Sequence, residues 1–322
     1  MLKTVTNSTF SDSFLCSFQS NDIEEHVNNF NGWEADYDQI SSGAFEGSLT
    51  ELSLEGMLLQ REKVNQEVIK NGVTDADFVS FSVPLMEQHE AFYCDGHAFE
   101  FNHLLVSSGC FPELKTPKNT DVVVINVPTN MFQQILQEQK IAFDFSEQAY
   151  CHRLTPCHNT RELVGLLGTV MAPNGSLDFL SHEPVRLGVR DAIFQHLLEI
   201  VDKEEPHVID PTARKRVVDR ARDYVLSRMD EPPTIFELCN LIGASRRKLQ
   251  YCFQETLGIN PVTYLRILRL NAVHRELLLS PDVTSVQDAA AKNGFLHLSR
   301  FAGDYRQLFG ELPSDTLKKR YV

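Results

Sequence analysis

Two stretches near the C-terminal end of this 322-residue chain repeat one pattern. The first runs from Thr234 to Pro261 (TIFELCNLIGASRRKLQYCFQETLGINP), the second from Ser285 to Pro313 (SVQDAAAKNGFLHLSRFAGDYRQLFGELP). Leu249, Phe253, Leu257, Gly258 and Pro261 correspond to Phe301, Tyr305, Phe309, Gly310 and Pro313. Upstream, Ile235, Leu238, Cys239 and Gly243 correspond to Val286, Ala289, Ala290 and Gly294. In the first copy Thr234 and Glu237 form a capping box that starts one helix. Gly243 lets the chain turn, and Ser245 is a good N-cap for a second helix. Leu249, Cys252, Phe253 and Leu257 recur at helical spacing, and Gly258 stops that helix. Each copy therefore reads as a helix-turn-helix, over 234–258 and 285–310. One copy alone fits an ordinary helical bundle, but two copies in matching phase do not, and they point to a chain that touches DNA at two places.

The side of the second helix opposite its apolar stripe carries the donors. Ser245, Arg246, Arg247, Lys248, Gln250 and Tyr251 are the candidate DNA-binding residues of the first unit, with Arg247 and Gln250 suited to base edges and Arg246 and Lys248 to phosphates. The second unit offers His297, Ser299 and Arg300. Between the units, Pro261–Ser280 reads as a helix with Leu265, Leu268, Ala272 and Leu279 as its buried stripe, and with Arg266, Arg269 and Arg275 facing outward or paired with acids. About 18 residues at ~1.5 Å rise make a strut of ~27 Å. It would hold the two units about one DNA turn, ~34 Å, apart.

YLRILRLNAVHREL (Tyr264–Leu277) and GFLHLSRFAGDYRQLFGELPS (Gly294–Ser314) resemble the AraC/XylS-type transcription regulators over the last third of the chain. LCNLIGASRRKLQ (Leu238–Gln250), RLNAVHREL (Arg269–Leu277) and, less specifically, YDQISSGAFEGSLTEL (Tyr37–Leu52) are similar to the subgroup of the ethanolamine-utilisation operon regulator. Gly303 stands where many members carry a base-reading arginine, and Leu296 where the subgroup often has tryptophan. The resemblance implies a C-terminal DNA-binding domain behind a cupin-like sensing domain. It also implies a small amine or amino alcohol as effector, with no intrinsic cofactor. The partners it implies are double-stranded promoter DNA, RNA polymerase and a second copy in a homodimer.

The net charge of −14 does not count against DNA binding, because it is unevenly placed. Residues 206–322 hold 18 Lys and Arg against 13 Asp and Glu, a net of +5, while residues 1–205 hold 12 against 31, a net of −19. The basic excess travels with the repeated helices. Seven cysteines without a CxxC pair suggest reduced thiols. MLKTVTNSTFSDSF lacks a signal-peptide pattern, and no stretch approaches the ~20 apolar residues of a membrane span. The expectation is a cytoplasmic protein.

Residues 1–30 read as polar and weakly determined. From about 45 to 130 the pattern is short strands: LTELSLEGMLLQRE alternates as a half-buried strand, FVSFSVPL, LLVSS and VVVINV follow, and Asp95–Gly96 marks a tight hairpin. Helices follow, with Met131, Ile135 and Leu136 on one face of the first, Leu163, Leu166 and Leu167 on the next, and Val189, Ile193, Leu197 and Ile200 on a longer one. The expected fold class is α+β in two domains. Residues 1–205 form a cupin-like β-rich sensing domain with flanking helices, 206–213 a linker, and 214–320 an all-α domain with tandem helix-turn-helix units.

The rival class is an enzyme. CHRLTPCH (Cys151–His158) holds two Cys-His pairs, but C-x5-C fits no standard zinc spacing. A metal-dependent cupin enzyme with a DNA-binding appendage would call for a close H-x-H pair, whereas His97 and His103 are spaced H-x5-H. No P-loop, dinucleotide fingerprint or Ser-His-Asp context is present. The reading is a DNA-binding, ligand-responsive activator of a catabolic operon and not an enzyme; a repressor and a ligand-independent regulator are the alternatives. No residue is assigned to the effector or to a metal.

Overall fold

The computed structural model describes residues 15–320, apart from 31–32, 76, 86–90, 100–102, 110, 144–149, 154–157, 173–177, 204–206 and 284. The chain opens with β1 (Leu15–Ser20), α1 (Ile23–Asn28), β2 (Trp33–Gln39), β3 (Gly47–Leu54), β4 (Met57–Val64), β5 (Val68–Thr74) and β6 (Phe78–Pro84). Next come β7 (Phe92–Cys94), β8 (His97–Phe99), β9 (His103–Ser107), β10 (Phe111–Thr116), β11 (Thr120–Pro128), α2 (Thr129–Gln139), β12 (Tyr150–Arg153), α3 (His158–Val170), α4 (Glu183–Lys203) and β13 (His207–Val208). The C-terminal helices are α5 (Ala213–Leu226), α6 (Ile235–Ile242), α7 (Arg246–Leu257), α8 (Pro261–Leu279), α9 (Val286–Lys292), α10 (Leu298–Phe309) and α11 (Pro313–Lys319).

The strands form an eight-stranded sheet, β1-β3-β4-β11-β6-β9-β12-β13, and a five-stranded sheet, β2-β5-β10-β7-β8. Strand alternation decides what each face meets. On β11, Val123, Ile125 and Val127 join Phe81, Val83, Leu104 and Val106 against Phe132, Leu136, Leu163, Leu167, Ile193 and Leu197 of α2, α3 and α4. The alternate residues of the same strands, Val122, Val124, Ser82 and Leu105, turn toward the five-stranded sheet and line a cavity with Tyr37, Lys70, Phe92 and Thr116 from it. Of the expected helix faces, Leu136, Leu163, Leu167, Ile193, Leu197 and Ile200 are buried there, while Met131, Ile135, Leu166 and Val189 are partly buried against the same core.

Three features depart from the sequence expectation. Strands begin at Leu15, not near residue 45, because β1 is an edge strand on β3 with alternate residues exposed, so its composition stays polar. LTELSLEGMLLQRE is two strands, β3 and β4, joined at Glu55–Gly56, with Leu54 paired to Met57. Both turn residues have positive φ, 44° and 90°, a hairpin turn without the usual Asn-Gly or Asp-Gly signal. His207–Val208, read as linker, pairs with Tyr150 and Cys151 at the sheet edge. The Asp95–Gly96 hairpin forms as expected, with Phe92 opposite Phe99.

The acidic strand-rich part and the basic helical part meet through paired charges. Arg275 of α8 donates from Nη2 to Asp38 Oδ1 at 2.5 Å and to the Tyr37 carbonyl at 2.9 Å, and its Nε lies 3.0 Å from Glu24. Asn271 donates to the Gln39 carbonyl and accepts from its N–H, both at 3.0 Å. His274 bridges Asp22 (3.0 Å) and the Tyr305 hydroxyl (2.6 Å) and stacks on Phe309. On α5, Lys215 and Arg222 both pair with Glu113 of β10. The Gly96 turn sits so close to Thr212 that a Cβ there would lie 2.6 Å from its hydroxyl.

Burial outweighs the Arg275 guanidinium and pushes the Glu24 carboxyl up to about 7, against an ordinary 4.5. The folded chain thus keeps a proton that the unfolded chain has released. The resulting stabilisation is complete below about pH 4.5 and is lost as pH rises through about 7. Thermal unfolding across that window should show wild type losing more stability with rising pH than Glu24→Gln; equal slopes would remove Glu24 as the cause.

Candidate nucleic-acid interface

The first unit is built by local chemistry. Thr234 Oγ1 accepts from the Glu237 N–H while Glu237 Oε2 accepts from the Thr234 N–H, closing the capping box of α6. Gly243 ends that helix at φ 66°, in the left-handed region. Ser245 then caps α7, its Oγ accepting from the Lys248 N–H at 3.2 Å. Leu249, Cys252, Phe253 and Leu257 are buried against α5, α6 and α8. That leaves Ser245, Arg246, Arg247, Lys248, Gln250 and Tyr251 exposed together at the N-terminal end of α7. Unpaired helix N–H groups and three cations share that end, as anionic backbone recognition requires. Arg214 of α5 lies over the Tyr251 ring at 5.2 Å and extends the cationic surface. Sequence spacing does not single out Arg214, because nothing in it tells which face of α5 meets α7.

The second unit repeats this with weaker capping. Ser285 Oγ accepts from the Asp288 N–H at the start of α9, but His297 caps α10 without a side-chain hydrogen bond. Phe301, Tyr305, Leu308 and Phe309 are buried, and His297, Ser299 and Arg300 are exposed. Arg300 approaches Asp304 at 4.0 Å, as does Arg266 at 3.4 Å. Leu296 just before α10 is 84% exposed. A Cβ built on Gly303 would meet no atom within 4 Å, so the open face accommodates a larger residue.

The strut is α8, but its burial differs from the single stripe read from sequence. Leu265 and Leu268 are buried as expected, whereas Leu279 is exposed near the C-cap Ser280. Tyr264, Leu270, Asn271, Val273, His274 and Leu277 are buried as well. The helix is covered on several sides: Tyr264, Leu265 and Leu268 enter the first unit's core, and Leu270, Val273 and Leu277 enter the second's. A one-stripe pattern cannot describe such a helix. Among the described residues Arg269 has no acidic partner; it lies half-buried over Phe295 at 4.8 Å and donates toward the Asn293 and Gly294 carbonyls at 3.4 Å.

The rival sites fare as follows. Residues 154–157 of CHRLTPCH lie outside the described residues. His97 Nε2 contacts the Asp210 carbonyl at 2.9 Å. Among the described residues, Asp22, His274 and Glu311 bring ligand-type atoms within 4.8 Å of one another. Lys319 Nζ lies 2.7 Å from Glu311 and already supplies the cation there. No described helix is long and apolar enough to cross a membrane.

With two matched units and their exposed donors in place, the C-terminal part is a DNA-binding helix-turn-helix domain. Residues 238–319 match the model of a helix-turn-helix domain family. The chain is 38% identical over 103 residues to the probable thc operon regulatory protein of Rhodococcus erythropolis, covering 32% of this chain and 31% of that one. It is 37% identical over 101 residues to the XylDLEGF operon transcriptional activator 2 of Pseudomonas putida, covering 31% and 64%. A solved structure of a probable AraC family transcriptional regulator from Rhodopseudomonas palustris is 35% identical, with a TM-score of 0.30, over 33% of this chain and 97% of that one. The chain thus spans about a third of the length of the first of these relatives, 31%. Its C-terminal domain is similar to the helix-turn-helix domains of AraC/XylS-type transcription regulators.

Ser245→Ala removes the α7 cap and should lower folding stability by about 1 kcal/mol. Chemical denaturation measures it; an unchanged midpoint would mean that α7 is held by packing alone.

Proposed function

We propose that the whole chain is a ligand-responsive transcription activator of a catabolic operon, working in the cytoplasm. The observation that supports it most is the pair of equivalent, exposed, cationic or polar recognition-helix ends joined by one buried helix. In this reading residues 214–320 bind double-stranded promoter DNA and contact RNA polymerase. Residues 1–205, a cupin-like sensing domain, hold the effector between their two sheets, and 206–213 connect the two parts. The chain acts as a homodimer, as regulator and not as catalyst. The similarity to relatives named as operon activators favours activation over repression.

Each recognition helix enters a major groove, about 34 Å apart along one DNA face. Arg247 and Gln250 read bases in the first segment, and Arg246 and Lys248 hold phosphates, with Ser245 and Tyr251 at the edge of the contact. His297, Ser299 and Arg300 read the second segment. In this reading the resemblance to the ethanolamine-operon subgroup makes a small amine or amino alcohol the effector to test first.

Full-length variants test this on DNA upstream of the protein's own operon. Arg247→Ala should cost about 1–3 kcal/mol at matched sites and relax base preference there. Lys248→Ala should weaken all sequences alike and lower the salt dependence by about one counterion. In footprinting, Arg300→Ala should lose base preference in the second segment; unchanged protection and preference would leave base reading to the first unit alone.

A further inference from the structure

The turn between α9 and α10 is one residue longer than the turn between α6 and α7, and the backbone hydrogen bonds show which residue is extra. In the first unit the Ala244 N–H donates to the Cys239 carbonyl at 3.0 Å; in the second the Phe295 N–H donates to the Ala290 carbonyl at 2.9 Å. Ala244 and Phe295 are therefore equivalent, and each packs toward the core of its own unit. Ser245 and His297 are equivalent as well, as N-caps of α7 and α10, which both run for 12 residues. Ala244 and Ser245 are adjacent in the chain, whereas Leu296 stands between Phe295 and His297. Leu296 is the extra residue. At 84% exposure, no large apolar side chain among the described residues is more open to solvent.

The same register sets what the second recognition end carries. Leu298 takes the position of Arg246, Ser299 that of Arg247 and Arg300 that of Lys248. Three cations at the start of α7 become one at the start of α10, and two leucines enter the unbroken exposed run from Leu296 to Arg300. The turn that carries Leu296 is held on two sides. Phe295 packs on Phe301, with ring centres 5.0 Å apart, while Arg269 lies over Phe295 and donates toward the Asn293 and Gly294 carbonyls. A Cβ on Gly294 would lie 2.5 Å from Pro232, so the turn also rests on the segment ahead of α6. Leu296 is thus presented in a fixed place, and covering it costs little ordering entropy. An apolar side chain carried into a major groove meets one complementary group there, the C5-methyl of thymine. The other groups on the base edges are donors and acceptors, which a leucine would desolvate without pairing.

We propose that Leu296, with Leu298 beside it, reads thymine C5-methyl groups in the second DNA segment. The second unit then selects A·T pairs by apolar contact where the first selects bases by hydrogen bonds. A protein partner seated on Leu296 would have to cover His297, Ser299 and Arg300 with it, because the five residues form one exposed run. DNA is the occupant that uses the whole run, with donors for phosphates and base edges and leucines for methyl groups. The inference rests on the reading above that α10 enters a major groove, and it names the base selected there.

Deoxyuridine pairs with adenine as thymidine does and lacks only the methyl group, so it isolates the contact. Full-length protein is titrated in gel shifts onto DNA from upstream of its own operon, with the thymidines of each footprinted segment replaced one at a time. The second segment is the one whose base preference Arg247→Ala leaves alone. At one or two positions there, deoxyuridine should weaken wild-type binding about fourfold, the worth of one buried methyl group. Leu296→Ala should bind the thymidine DNA more weakly than wild type and show no further loss on deoxyuridine at its position. Leu296→Met keeps an apolar chain there and should retain the deoxyuridine penalty. Both variants should unfold at the wild-type temperature, because Leu296 is exposed, and replacements in the first segment should affect all three proteins alike. A deoxyuridine penalty that persists undiminished in both Leu296→Ala and Leu298→Ala would overturn the proposal. So would Leu296→Ala binding DNA as wild type does while lowering reporter output, which would make this surface a polymerase contact. If the second segment is protected but indifferent to its methyl groups, the methyl contact falls and the two-groove reading stands. If no second segment is protected, the two-groove reading falls and the methyl contact with it.

Discussion

The burial of α8 on several sides at once is the constraint on which the rest of the molecule depends. Its first half carries Tyr264, Leu265 and Leu268 into the core of the first helix-turn-helix unit, and its second half carries Leu270, Val273 and Leu277 into the second. Two small three-helix units could not each bury enough surface to be rigid alone, and a shared helix removes that difficulty. The remaining side of α8 presents Asn271, His274 and Arg275 to Gln39, Asp22, Glu24 and Asp38. One helix therefore sets the spacing of the recognition helices and also joins them to the strand-rich part. Any force that the N-terminal part applies at β2 or α1 is delivered directly to that spacer.

The joint between the two parts is ionic where most domain cores are apolar. Arg275 faces Asp38 and Glu24, and Glu113 is shared by Lys215 and Arg222. Desolvation raises the carboxyls of Glu24, Asp38 and Glu113 despite these cations, so the pairs do little for overall stability. What they supply is register, because a carboxylate buried without its cation is costly and only one docking satisfies all of them. Apolar contacts are present as well: Ile40 and Ile69 pack in the same cluster as Leu257 and Tyr264. The charge split of −19 and +5 along the chain is thus used twice, to repel the acidic strand-rich half from phosphates and to hold the halves together.

The helix-turn-helix units were legible because their determinants are local. Thr234 with Glu237, Ser245, Gly243 and Gly258 act within one turn of the positions they define, and the structure places the helix ends at those residues. The hairpin at Asp95–Gly96 was legible for the same reason, while that at Glu55–Gly56 was not, since Glu55 takes a left-handed conformation that its side chain does not advertise. The edge strand β1 is not legible in the sequence because half of it faces solvent and leaves little hydrophobic alternation.

The sequence by itself determined the two recognition units, their exposed donors, the segregation of charge and the strand-rich character of the first half. Each of these follows from composition or from contacts a few residues apart. The tertiary structure alone decided that Thr116 and Lys70 share a cavity wall and that Arg214 lies over Tyr251. It alone made Gln39 the partner of Asn271 232 residues away, and it turned a one-stripe strut into a helix buried on several sides. The physical reason is the range of the determinants. Caps and turns are satisfied inside one segment, whereas sheet register, ion-pair choice and the emptiness of a cavity depend on which distant segments pack face to face, and no single stretch of sequence encodes that.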